Sequence, residues 1–511
     1  MKSFRSTIES AFYGNNVCEV STRQSAYCLA KVAPSTIVTG MLVSHCEDLG
    51  LKPNTKVLVD NHGEVVGRSA KARRIIGVDQ KYDYNAIMRE AIYDATKRGF
   101  IKARAIVGLD AAFSMKAHLM IPKDDANNLY NFLLNFQEVN KEEEEGSLKK
   151  EKDVFLFVDP EWSDERFPDG LVLLDPEDNV GAVLGLRYFG EIKKSVLSLV
   201  WNAARRHDYI ACHGGIKEVT TPGGPFVMAV FGLSGSGKST ITLSDHEGRL
   251  NTKILHDDAF IVSKKDGHSI VLEPSYFDKT ADYPAGHPQQ AYFITAQNVG
   301  VTSVDSKVVL VTEDIRNGNG RTIKSQYCTK NRVNRFDKSL DAVFWIMKDD
   351  AFPPLLKVES PMVSAVMGAM MTTKRSSAEH GGGGNKQVIE PYANPFRLYD
   401  VKEDFEDFKE LFEQGVACYI LNTGFFNGKK ITPTVTLSAI ESVIDGTCEY
   451  LPFAGIDDLS YLKIPGYDVD MDDELYQKLV LQSFQFRSEE ASILPDAAQA
   501  IVKNMQKSLQ K

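Results

Sequence analysis

"FVMAVFGLSGSGKSTITL", residues 226–243, decides how this chain is read. The run 226–231 is unbroken and apolar, as a buried strand is, and a second apolar run opens at Ile241. Between them Gly232-Leu233-Ser234-Gly235-Ser236-Gly237-Lys238-Ser239 fits G-x-x-x-x-G-K-S/T, with Thr240 following. Glycines in such a loop let backbone N–H groups turn inward on phosphate oxygens, and the helix behind adds its positive end. Lys238 would reach the β- and γ-phosphates, and the Ser239 hydroxyl would ligate Mg²⁺. A strand before the loop and a helix start after it separate this pattern from a plain glycine-rich turn.

A phosphate-bound cation needs carboxylates. "KILHDDAFIV" (253–262) supplies Asp257 and Asp258 inside an apolar, β-prone segment. Neighbouring strand side chains point to opposite faces, so either the two serve different points, one the nucleotide Mg²⁺ and the other a second centre, or only one of the pair is functional. "RYFGEIKKSVLSLVWNAARR" (187–206) reads as a helix with Ile192, Val196, Leu199, Val200 and Ala203 on one face. Lys193 and Lys194 fall in its first turn, where cations oppose the helix dipole at a cost of a few tenths of a kcal/mol. "DYIACHGG" (208–215) reads as a strand that delivers His213 to a glycine turn. Two arginines stand out, Arg68 in a basic cluster after a strand and turn, and Arg316 at the end of an apolar strand.

At 511 residues the chain exceeds what one core supports, which predicts two or three domains. The Gly/Pro-rich passage "GGIKEVTTPGG" (214–224) places the boundary, giving 1–218 and a phosphate-loop domain over 219–511. In the first, "KVLVD" (56–60), "VFLFVD" (154–159) and "GLVLLD" (170–175) read as strands, 84–98 as a helix, and the charge run 141–153 as a solvated loop. In the second, "EHGGGGNK" reads as a mobile segment, because four consecutive glycines do not hold one conformation cheaply; it is either an inert linker or a lid near 379–390. A net charge of −10 argues against a nucleic-acid partner. The seven cysteines, without a CxxC pair, read as reduced thiols. With no apolar leader and no run of about 18 apolar residues, the chain is expected in the cytoplasm, away from membranes, as a monomer or small homo-oligomer.

Taken together, these stretches resemble the ATP-dependent phosphoenolpyruvate carboxykinase family, collinearly over most of the chain. "VVGRSAKAR" resembles the family's TGRSPKDK, "YFGEIKKSVLSL" its Y-x-G-E-M-K-K, and "ACHGG" the segment with its metal histidine. "FGLSGSGKST" resembles GLSGTGKTT, "ILHDDAF" the GDDEH strand, "LEPSYFDKT" the E-x-x-x-Y-x-K-T stretch, and "TEDIR" the T-E-N-T-R. The stretches 349–381 and 421–446 resemble the ADAFGVLPP…TAK…GTERG segment and V-N-T-G-W…R-I-S-I-x-x-T-R-A-I-I-D-A. The resemblance implies an α/β protein of two lobes, a mixed-sheet substrate side and a carboxykinase-type mononucleotide-binding domain.

It also implies roles. Lys194, His213 and Asp258 would bind Mn²⁺, Lys194 as the neutral amine, while Ser239 holds the nucleotide Mg²⁺ with Asp257 in support. Arg68 and Tyr188 would hold a dicarboxylate, and Arg316 would lie between it and the transferring phosphoryl group. Glu273 and Lys279 would line the phosphate side, and Lys430 and Thr436 would meet the nucleotide base. Oxaloacetate would lose CO₂, and the enolate oxygen, stabilised by Mn²⁺ and Arg68, would attack the γ-phosphoryl of ATP that Lys238, Arg316 and two cations neutralise. The chain departs from the family pattern at Lys116 and Lys430, where the family has arginine, at Gly214-Gly215 after the metal histidine, and over 317–327. Alternatives are a related phosphotransferase with another carboxylate or with GTP or pyrophosphate, and a nucleotide-binding regulator without turnover.

Overall fold

The computed structural model describes residues 3–77, 80–139, 146–148, 150–233, 235–314, 318–374 and 387–510. The chain is a mixed α/β protein that divides into two compact units. The first takes the chain up to His207 and then Val271–Lys330. The second takes Asp208–Ile270 and, among the described residues, 331–374 and 387–510. The sequence reading puts one boundary after residue 218; the contacts divide the chain at 207/208 and return 271–330 to the first unit. Pairing explains the return. Strands Tyr276–Lys279, Arg321–Lys324 and Phe293–Gln297 join Lys56–Asp60 and Thr36–Leu42 in one five-stranded sheet, with Phe293–Gln297 running parallel to Lys56–Asp60.

The larger sheet of the first unit runs in the order Val17–Glu19, Phe100–Asp110, Phe113–Pro122, Val154–Asp159, Val180–Leu184, Leu171–Asp175, Arg73–Ile75. The expected strands at 56–60 and 154–159 stand as read, and the third begins at Leu171. Their unbroken apolar runs follow from burial on both faces; every residue of 154–159 and 171–175 is buried. The helix expected over 84–98 runs Lys81–Ala95, since residues 96–99 turn the chain into the strand Phe100–Asp110. Of the charge run, residues 141–145 and 149 lie outside the described residues; Glu151 in its second half is held by Arg206 and His207 at 2.7 and 2.9 Å.

Helix Phe189–Arg206 lies in this unit with Tyr188 as its N-cap residue. Ile192, Val196, Leu199, Val200 and Ala203 are all 0% exposed, the face its spacing predicts. The burial goes further than one face, because Glu191 and Lys193 are also 0% exposed. Both are neutralised by partners described below, as buried charges must be.

The second unit is organised by an eight-stranded sheet: Thr252–His256, Gly215–Thr221, Gly224–Phe231, Ala342–Met347, Ala417–Asn422, Leu355–Val358, Leu459–Leu462, Tyr450–Pro452. Its central strands Gly224–Phe231, Ala342–Met347 and Ala417–Asn422 are parallel, so their carboxyl ends open on the same edge. That edge is where open α/β sheets bind ligands. A second sheet orders Tyr209–His213, Ala259–Ser263, Ser269–Val271 and Arg335–Phe336. Of the expected lid, 379–386 lies outside the described residues, and Gln387–Ile389 pairs with Thr372–Lys374. Among the described residues no helix is long and apolar enough to cross a membrane.

Candidate active site

The strand Gly224–Phe231 delivers the phosphate loop to the carboxyl edge, and the helix Lys238–Leu243 leaves it. Gly235 and Gly237 hold φ of 79° and 94°, a left-handed backbone that glycine adopts without a Cβ penalty. At Gly232 a Cβ would come within 2.4 Å of Ser236 Oγ and 3.0 Å of the Ile346 side chain, so this position has no room for one. The loop is fastened by residues just past the two central strands that run parallel to the loop strand, Ala342–Met347 beside it and Ala417–Asn422 one strand further. Thr423 Oγ1 donates to the Ser236 carbonyl at 2.8 Å, and Lys348 Nζ to the Gly235 carbonyl at 2.8 Å. These bonds occupy the Gly235 and Ser236 carbonyls, and the Ser236 amide donates within the loop to the Leu233 carbonyl at 3.0 Å. Leu233 is half-buried, Ser239 and Thr240 are exposed, and Ser234 lies outside the described residues.

Lys238 is 9% exposed, with its ammonium 3.4 Å from Asp258 Oδ1. The same carboxylate oxygen lies 2.9 Å from His213 Nε2. This meeting follows from register. Tyr209–His213 pairs antiparallel with Ala259–Ser263, His213 opposite Ala259, and the Gly214 amide donates to the Asp258 carbonyl at 3.1 Å. The sequence reading places both aspartates inside one strand; they occupy the bend between Thr252–His256 and Ala259–Ser263, strands of different sheets. The bend is held by His256 Nδ1, which accepts from the Asp258 amide at 3.1 Å. Asp257 is 3% exposed beside it.

The proton count at His213 is informative. Nδ1 stands 2.5 Å from the Ala393 carbonyl, which only accepts, so Nδ1 carries the proton. Nε2 then faces a carboxylate oxygen with its lone pair unless the ring is charged. Two acceptors at 2.9 Å require something positive between or beside them: a proton, the Lys238 ammonium, or a cation. An imidazole whose far nitrogen is pinned by a backbone carbonyl is oriented as metal-ligating histidines are.

In the first unit, Arg68 Nε lies 3.6 Å and Arg73 Nε 2.9 Å from the two oxygens of Glu191. Burial lowers the Arg73 pKa, and the Glu191 charge opposes it. Tyr188 is 6% exposed, and its hydroxyl accepts from Arg321 Nε at 3.1 Å. Its ring is locked over Gly190, where a Cβ would fall 2.3 Å from the ring. Lys194 is half-buried, its Nζ 5.6 Å from the Trp201 ring centroid, while Lys193 pairs with Glu273 at 2.9 Å. Glu273 is 0% exposed and also accepts from Asn135 at 2.7 Å, so its carboxylate is turned to this unit's interior. Lys279 ends the strand Tyr276–Lys279, half-buried, and its charge acts on Asp282. Arg316 lies outside the described residues.

Thr436 is 4% exposed on helix Pro433–Asp445, and Lys430 is exposed on the hairpin before it. Sequence reasoning passes over Lys348, Thr423, Ala393 and Arg321. Lys348 and Thr423 could have been found as the residues just past the apolar runs of the two strands that follow the loop strand in the sheet; Ala393 and Arg321 carry no local signal. Among the described residues no cluster of three His, Cys, Asp or Glu side chains stands ready for a metal, so a cation here would need a ligand of another kind.

The family model for phosphoenolpyruvate carboxykinase matches residues 43–471. The curated phosphoenolpyruvate carboxykinase (ATP) of Aeropyrum pernix is 26% identical over 295 residues, 54% of this chain and 58% of the relative. The chain thus spans less than three fifths of the curated relative it matches. The family match takes in the phosphate loop, the His213–Asp258 pair and Tyr188 alike, and on its extent the chain belongs to the phosphoenolpyruvate carboxykinase family.

Proposed function

We propose that this chain converts oxaloacetate and ATP into phosphoenolpyruvate, ADP and CO₂ by phosphoryl transfer to an enolate. The carrying observation is the cluster at Asp258, where one carboxylate oxygen meets both the phosphate-loop ammonium and a histidine nitrogen. A loop that only stored a nucleotide has no need of a backbone-pinned histidine beside its lysine. In this reading the second unit is the mononucleotide-binding domain and the first supplies the substrate side. Arg68 and Tyr188 hold the dicarboxylate: Glu191 steadies the guanidinium, and the Arg321 donation leaves the tyrosine O–H proton to point at a substrate oxygen. Arg316 is assigned to the acceptor as well. Lys238 offsets charge on the β- and γ-oxygens, and the loop N–H groups hold the phosphate chain. Glu273 and Lys279 support the phosphate side, and Lys430 and Thr436 the base.

The donor set at Asp258 fits a divalent cation. We assign Mn²⁺ to His213 Nε2, Asp258 and Lys194, and Mg²⁺ to Ser239 with Asp257 supporting it. Such ions would supply Lewis-acid charge toward the enolate oxygen and the γ-phosphoryl group. A neutral lysine ligand is within reach, because a neighbouring dication depresses the pKa of an ammonium. Replacement Asp258→Asn is expected to weaken Mn²⁺ binding at least tenfold, on the order of the effect of losing a ligand-orienting carboxylate. Water-proton relaxation against Mn²⁺ concentration measures this, and unchanged affinity would remove Asp258 from the set.

The deciding assay follows CO₂ release and phosphoenolpyruvate formation from oxaloacetate with Mn²⁺ and, separately, ATP, GTP and pyrophosphate. Turnover with ATP alone is the expected result. Turnover with another donor would replace the nucleotide assignment. Binding of ATP without turnover on oxaloacetate would refute the carboxykinase reading.

A further inference from the structure

The strand that borders the phosphate-loop strand carries a buried lysine. Lys217 is 0% exposed and sits opposite Met228 on one neighbouring strand and Ile254 on the other. Its Nζ donates to the carbonyls of Ile241 at 2.8 Å and Ser244 at 3.2 Å, the closing end of the helix Lys238–Leu243. It also lies 2.9 Å from His246 Nε2. His246 is 1% exposed, and its Nδ1 lies 2.8 Å from Glu441 Oε1. Glu441 accepts from Arg249 Nη2 at 3.0 Å and stands on helix Pro433–Asp445, the helix of Thr436.

Donor counting orients the whole row. An ammonium has three N–H bonds and no lone pair, so His246 Nε2 accepts and its Nδ1–H donates to Glu441. Two carbonyls and one imidazole nitrogen then use all three ammonium protons. The carbonyls at a helix end carry partial negative charge, which suits a cation there. An ammonium is among the costliest groups to remove from water, and an apolar side chain would fill the same place in the sheet. The chain keeps a lysine under a helix of six residues that begins with Lys238 and Ser239. Strand and helix also approach closely at Gly215, where a Cβ would lie 1.9 Å from Thr242 Oγ1. A helix so short has no interior turns to absorb a shift, so what holds its last carbonyls sets its first residues.

We propose that Lys217, His246 and Glu441 form a positioning relay that fixes the phosphate-loop helix and ties it to helix Pro433–Asp445 for nucleotide binding. The inference rests on the nucleotide reading above. Two protonation events break the relay from opposite sides. A protonated His246 would turn an N–H toward the Lys217 ammonium, and a deprotonated Lys217 would leave two N–H bonds for three acceptors. Burial holds the His246 pKa below its ordinary value, with the Lys217 and Arg249 charges in the same direction and Glu441 opposing. Burial pulls Lys217 down to about 7, against Glu441 and Asp245. The strands on either side bring Met228 and Ile254 to Lys217 and no charge. Nucleotide affinity is therefore expected to peak just below neutrality, where His246 is neutral and Lys217 still charged, and to fall on both sides.

The test is the dissociation constant of a fluorescent ADP analogue on the full chain between about pH 5.5 and 9. Lys217→Met is expected to weaken binding about tenfold near pH 7 with kcat at saturating nucleotide within about threefold, and to flatten the alkaline limb. His246→Gln keeps an acceptor and a donor in the row but does not titrate, so it flattens the acid limb. Glu441→Gln weakens binding less, and the Lys217→Met/Glu441→Gln pair binds no worse than Lys217→Met alone, because both act through one row. Should Lys217→Met fail to fold, the His246 and Glu441 variants decide the matter by their pH limbs. Additive losses, or an acid limb retained by His246→Gln, overturn the relay. Wild-type binding with unchanged variants overturns the relay alone, whereas a wild type that does not bind ADP overturns the nucleotide reading with it.

Discussion

Lys238→Ala should lower the rate of phosphoenolpyruvate formation by on the order of 10³-fold, with little change in the melting temperature. Phosphoryl transfer gives a protein little covalent chemistry to perform, so a cation placed on the β- and γ-oxygens is a large part of what the site supplies. Two features make Lys238 hard to replace. It is 9% exposed, so its charge acts in a poorly screened setting, and its ammonium is aimed by Asp258 at 3.4 Å. Removing it leaves Asp258 2.9 Å from His213 Nε2, where a proton on that nitrogen or a bound cation takes over the neutralising charge, so the fold is spared. The loss should fall on kcat, because loop N–H groups still bind the phosphates. Steady-state kinetics beside a thermal melt checks both halves. A loss confined to KM would mean that Lys238 binds nucleotide without assisting transfer.

What the sequence discloses about this protein tracks how local the constraint is. The phosphate loop is legible because its glycines, lysine and serine are contiguous and the conformation they need is their own; Gly235 and Gly237 take the left-handed backbone that the motif requires. The helix at 189–206 is legible from its period, but the burial of Lys193 is not, since this lysine is neutralised by Glu273, eighty residues away. His213 and Asp258 could each be singled out, whereas their meeting depends on the register of two antiparallel strands. The aspartates were expected in a strand because the flanking residues are β-prone; the bend there is imposed by two strands parting into different sheets. The return of 271–330 to the first unit is the least legible feature, because its strands find partners over two hundred residues back.

Arg487→Met should be the most damaging single change for stability, about 3–5 kcal/mol by the usual cost of breaking a buried ion pair. Arg487 is 1% exposed on helix Glu474–Glu490, which follows the end of the family match at residue 471. Its Nη1 donates to Asp349 Oδ2 at 2.8 Å and to Ser483 Oγ at 2.5 Å, and its Nη2 to Thr372 Oγ1 at 3.0 Å. Asp349 is 4% exposed and lies just past the central strand Ala342–Met347. A methionine fills much of the volume but leaves that carboxylate buried with only hydroxyl and amide donors, from Ser483, Thr372 and Ala351. The penalty is therefore the stranded charge more than lost packing. Asp349→Asn in the same chain should recover a large part of it, because an amide has no charge to strand. Urea unfolding of wild type, Arg487→Met and the double variant measures the two terms separately. Equal stability of the single and double variants would show that the arginine contributes by shape and not by neutralising Asp349. The same reasoning makes a chain cut after residue 471 poorly folded, although it retains the whole family match.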